Sequence, residues 1–197
     1  TGPSEPSTSA DHATQGLTAA EALGLRLLEL LHAESAETSV DLPVLSHAER
    51  LPSGDRGFSA AFLRAVYIFY ERHGAHELEM GDVCKKVGLA VNVCQLTAST
   101  GLSLVESCVL LARREGLDAS ALFGVASTFF SYSWTGSPLA DVCGAAGRAL
   151  QRLDAEDGGG SRFLWLDMLC ASQNLLGGKY EDVVAHPRGT PGYLARK

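Results

Sequence analysis

Two short runs hold most of the side chains able to do chemistry. STFFSYSW at 127–134 carries Ser131, Tyr132, Ser133 and Trp134, and RFLWLDMLCASQN at 162–174 carries Asp167, Cys170, Ser172, Gln173 and Asn174. Each holds a strand, over 127–134 in the first and 162–169 in the second. The first is short, aromatic and β-prone, and stops at the turn signal Thr135-Gly136-Ser137-Pro138. The second is nearly continuously apolar, as expected of a strand covered on both faces. Between them Ser137 as N-cap and Pro138 at the first helical position launch a helix, with Leu139, Val142, Cys143, Ala146, Leu150 and Leu153 at helical period, broken by DAEDGGG at 154–160. Residues 127–169 therefore read as one parallel βαβ unit. Ligands of parallel sheets gather beyond the carboxyl ends of the strands. The candidate ligand- or partner-binding rim is accordingly Ser131, Ser133, Trp134, Asp167, Gln173 and Asn174.

Each candidate also has a structural reading. Trp134 and Trp165 suit core or sheet-edge packing better than ligand platforms. Ser131 and Ser133 suit strand-end or turn hydrogen bonds, and Gln173 and Asn174 suit ordinary loop positions. Asp167 stays open between a cap of the following loop and a functional acid, because a carboxylate inside FLWLDML must find donors if buried. No Ser, His and Asp set or Cys and His pair assembles. No glycine-rich loop follows a strand in the phosphate-cradling pattern, and the 54–57 segment reads as a loop. His73 and His76 with Glu77 and Glu79 are capable of binding metal, but Gly74 interrupts their helix and no matching second pair exists, so no metal site is expected.

Upstream, helical signals dominate. Thr18 and Glu21 form a capping box ahead of Leu23, Leu27, Leu30 and Leu31, predicting a helix over 19–33. Ser59 as N-cap, an apolar face of Phe62, Val66, Phe69 and Tyr70, and Gly74 as a stop predict another. Asp82 is the expected cap of a short helix with Val83 and Val87. Ser103 and Glu106 make a second capping box before Leu104, Cys108 and Leu111, with the stop at Gly116. The organisation expected is a disordered tail over 1–16, a mainly helical region over 17–126 and the βαβ unit with an irregular tail over 127–197.

Composition narrows the function classes. Hydrophobic residues are 46% and charged residues 20% of the 197, the balance of a folding globular chain. With 23 acidic against 16 basic side chains the net charge is −7, so neither nucleic acid nor an anionic membrane surface is an expected partner. No run reaches the length of a membrane span. Five scattered cysteines, set mostly among apolar residues, read as reduced thiols in the cytoplasm, with Cys143 buried and Cys170 the most accessible. The N-terminus lacks the features of a secretory signal, and the missing initiating Met reads as a fragment or processed chain.

FFSYSW, followed by a small-residue loop and an amphipathic helix, resembles the first strand and helix of Toll/interleukin-1 receptor (TIR) type domains. FLWLDMLCASQ is similar to the second strand of the related fungal heterokaryon-incompatibility (HET) domains, with Trp, Asp, Cys and Gln in comparable order. Residues 80–134 look like the lead-in of TIR-like proteins of algae and other protists. The resemblance covers about 127–174 and implies an α/β chain: a helical N-terminal part followed by an incomplete flavodoxin-like parallel βαβ unit. It also implies a cytoplasmic signalling or protein-interaction module whose partners are other proteins, self-association included. TIR domains that cleave NAD place a Glu on a later helix. Only 175–197 follow here, with Glu181 in no such motif, so catalysis by the chain alone, and a cofactor, are not expected. The alternative is part of an NAD- or nucleotide-processing enzyme, an NAD-consuming hydrolase, whose catalytic acid lies outside this chain.

Overall fold

The computed structural model describes residues 16–36, 51–156 and 162–173. The elements run α1 (Ala19–Ala36), a 3-10 turn (Ser53–Asp55), β1 (Gly57–Phe58), α2 (Ala60–Arg72), α3 (Met80–Lys85), α4 (Val93–Leu96), α5 (Leu104–Arg114), β2 (Phe123–Gly124), β3 (Thr128–Phe129), α6 (Leu139–Glu156), β4 (Leu164–Trp165) and α7 (Asp167–Cys170). The class is mixed α/β.

Helix ends follow local chemistry. At α1, Thr18 N–H donates to Glu21 Oε2 (2.7 Å) and Glu21 N–H to Thr18 Oγ1 (3.2 Å), the reciprocal capping box. Ser59 caps α2 by accepting from Phe62 N–H. Ser103 and Glu106 close the box on α5, and Gly74 and Gly116 take the positive φ that ends α2 and α5. Two caps differ from expectation. The N-cap of α3 is Glu79, with Asp82 inside the first turn, and Val87 lies outside that helix, 97% exposed. At α6 the first amides are met by backbone: Leu139 N–H donates to Leu78 O and Ala140 N–H to His76 O, both at 2.9 Å.

The sheet is mixed, in the order β2-β1-β4-β3. β3 and β4 pair in parallel, Thr128 with Leu164 and Phe129 with Trp165, and α6 connects them. β1 lies antiparallel to both β2 and β4. The inner strand β1 and the edge strand β2 lie where a loop and a helical region are expected, and the buried β1 opens at Gly57, the last residue of the expected 54–57 loop. Both expected strands are also shorter: the last bond between them runs from Phe130 N–H to Trp165 O (2.9 Å), and at Leu166 the chain turns into α7, where Cys170 N–H returns to Leu166 O (2.9 Å).

One core runs from Leu25 on α1 to Cys170 on α7. α1 packs on α2 at Gly24, where a Cβ would come within 2.9 Å of Ala65 Cβ, so only glycine allows this approach. α6 packs on α2 with Leu139, Val142, Cys143, Ala146 and Leu150 buried, and Leu153 at the margin. A buried ion pair crosses the core. Arg56, 5% exposed, donates through Nε and Nη2 to Leu51 O, and through Nη1 to Cys170 O (3.2 Å). Its Nη2 also lies 3.3 Å from Glu106 Oε1. Glu106 Oε2 meanwhile accepts from Ser103 N–H and Oγ–H, so the α5 cap is also the counter-ion of Arg56. Removing one member of such a pair costs about 3–5 kcal/mol.

Leu150→Asp puts an unpaired charge on the fully buried face of α6. The cost is several kcal/mol, against a total domain stability of about 5–15 kcal/mol. Loss of the cooperative thermal transition is expected, whereas an unchanged melting temperature would show that this face is not packed.

Candidate functional site

Beyond Phe129 burial alternates from residue to residue as far as Trp134. Tyr132 and Trp134 turn toward β4 and are half-buried, while Ser131 and Ser133 face solvent. On the neighbouring strand the chain passes from Leu166 into α7, which sets Asp167 at the carboxyl end of β4. The two ends meet. Tyr132 Oη–H donates to Asp167 Oδ1 at 2.6 Å and Trp134 Nε1–H to Asp167 Oδ2 at 3.1 Å. Met168 N–H adds a third donor to Oδ1 at 2.7 Å. Gln173, buried, donates through Nε2 to Asp167 O (2.8 Å) and Ala171 O (3.2 Å), and Ser172 Oγ–H to Gly101 O (2.6 Å).

The six rim candidates thus separate. Trp134, Asp167 and Gln173 join one hydrogen-bonded cluster. Ser133 closes a local turn on Thr135 O (2.7 Å), Ser131 is exposed, and Asn174 lies outside the described residues. Tyr132, outside the six candidates, is a further member of the cluster. The signal was available in strand alternation, because Tyr132 and Trp134 are two apart and must share a face.

Trp134 is fixed on its other side too. Its carbonyl accepts from Gly81 N–H (3.0 Å), where a Cβ would lie 3.2 Å from the same oxygen, and Lys85 Nζ stands 6.0 Å from its ring centroid. Burial and the Asp167 carboxylate push the Tyr132 phenol well above its ordinary range, so Tyr132 remains a donor at all physiological pH. The thiols are held neutral: burial raises Cys84, Cys108 and Cys170, and pushes Cys143 up to about 12. None is an activated nucleophile. Cys170 is also fully buried, contrary to expectation, because α7 turns it inward, with Leu166 N–H facing its Sγ at 3.5 Å and Arg56 on its carbonyl. Cys94 is the partly exposed thiol.

With three of about four carboxylate acceptor positions spent on neutral donors inside the fold, Asp167 braces two strand ends. A cleft of about 560 Å³, lined in part by His32, Lys85, Asn92, Cys94 and Gln95, includes none of the rim candidates.

Asp167→Asn keeps the shape but replaces an acceptor oxygen by a donor facing Tyr132 or Trp134. A loss of about 1–3 kcal/mol is expected from chemical denaturation. Tyr132→Phe should reproduce part of that loss, while Ser131→Ala should leave stability unchanged. In thiol labelling followed by mass spectrometry, Cys94 should react first, with Cys84, Cys108, Cys143 and Cys170 protected. Prompt modification of Cys170 would show that α7 opens. No protein-family model, curated protein or solved structure matches this chain.

Proposed function

We propose that residues 127–173 form a TIR- or HET-like βαβ unit of flavodoxin-like kind, serving in cytoplasmic signalling as a protein-interaction module that self-associates, and not as a catalyst. One observation carries this reading. The polar residues that make FFSYSW and FLWLDMLCASQ resemble those families, Tyr132 and Trp134 from one motif and Asp167 and Gln173 from the other, meet in a single cluster at neighbouring strand ends. Their joint presence in the sequence then has a physical reason, since each motif supplies what the other must bond. The same bonding favours association over catalysis, because the one acid of the rim is already occupied by internal donors. Two of the large apolar side chains left exposed, Val125 (68%) and Phe129 (49%), flank or belong to the outer strand β3, where Phe129 stacks on Trp165 with ring centroids 5.1 Å apart. An outer strand with apolar flanks is a template for pairing with a second chain.

Sedimentation velocity over a concentration series, with a parallel assay of NAD turnover, tests the proposal. A concentration-dependent dimer weakened by Phe129→Glu, with no NAD consumed, is expected. A monomer at every concentration would overturn it. So would NAD hydrolysis by the purified chain that Asp167→Asn abolishes.

A further inference from the structure

Sequence spacing pairs His73 with His76, but the fold gives His73 different neighbours. Gly24 of α1 faces Phe62 and Ala65 of α2. About two turns further along, His32 of α1 meets Phe69 and His73, with ring centroids 6.0 and 4.8 Å apart. The two helices therefore run in the same direction, and their C-terminal parts come together. Glu29, one turn before His32, lies on the same face of α1. Its Oε2 is 3.9 Å from His73 Nε2. One ligand atom each from Glu29, His32 and His73 can be chosen so that all three lie within 4.8 Å of one another.

We propose that Glu29, His32 and His73 bind a divalent metal ion of borderline softness, with Zn²⁺ as the fitting member, independently of the strand-end rim. Two imidazoles and one carboxylate are a donor set such ions take, leaving a fourth position open. Ligand atoms about 2.1 Å from a tetrahedral ion stand about 3.4 Å from each other. The present spacing therefore needs a contraction of up to about 1.4 Å, within reach of side-chain rotation at a partly exposed site. The local field helps, because His73 is the C-cap of the 13-residue α2, where carbonyl groups present negative partial charge. Arg72 opposes it, with Nη1 at 3.5 Å from Glu29 Oε1, but it leaves Oε2 on the side of His73. His32 also lines the cleft of about 560 Å³.

The test is equilibrium dialysis of the full chain against Zn²⁺, with its thiols kept reduced. One ion per chain and a raised melting temperature are expected, with binding at least about tenfold weaker in His32→Gln and in His73→Gln. Two measurements on the unaltered protein remove dependence on how the variants fold. Imidazole ¹⁵N resonances of His32 and His73, and not of His76, should shift on adding Zn²⁺. Co²⁺ should give a tetrahedral d–d spectrum without a thiolate charge-transfer band. Absence of stoichiometric uptake, uptake unchanged in both variants, or a thiolate band showing a cysteine site would each overturn the proposal.

Discussion

A guanidinium almost shut off from solvent has to be surrounded by acceptors, and those around Arg56 come from three separate parts of the chain. Leu51 O precedes the sheet, Glu106 sits in the first turn of α5, and Cys170 O closes α7. Burying an uncompensated charge would cost more than a small domain can spare. These segments are therefore placed together or the fold is lost. β1 begins at the next residue, so the same constraint positions the strand that pairs with both β2 and β4.

From Arg56 the ordering passes to the rim. Its bond to Cys170 O holds the end of α7, Gln173 ties the residues just beyond to Asp167 O, and Asp167 then gathers Tyr132 and Trp134 from the neighbouring strand end. Gly81 and Lys85 brace Trp134 from α3. The rim is thus the outer end of a polar chain that starts in the core. Rigidity of this kind suits a surface that must present one shape to a partner.

The cluster at the C-terminal ends of α1 and α2 belongs to a different part of the molecule and a different interaction. It depends on the close helix approach at Gly24, which sets α1 against α2 and so determines which α1 side chains reach His73. Sequence separation hides that relation, since Glu29 and His32 lie about forty residues from His73.

The sequence by itself determined the elements whose causes are local. The capping boxes at Thr18–Glu21 and Ser103–Glu106, the Ser59 cap and the apolar period of α6 each act within a turn or a few turns of chain, so residue type and spacing are enough. The parallel pairing of β3 with β4 was legible for a related reason, because a patterned helix between two β-prone runs constrains their direction. Tertiary structure alone decided the rest. β1 and β2 are two residues each, too short for any period, and exist only because partners far along the chain supply their hydrogen bonds. Glu106 was visible as a cap, but its pairing with Arg56 was not. Cys170 became a fully buried thiol where an exposed one was expected, since the inward turn of α7 depends on bonds to Arg56 and Leu166. Asp167 likewise became a brace once packing brought Tyr132 and Trp134 to its two oxygens. Which donors reach a carboxylate is a matter of three-dimensional proximity, and spacing along a chain records only the neighbours it keeps within a few residues.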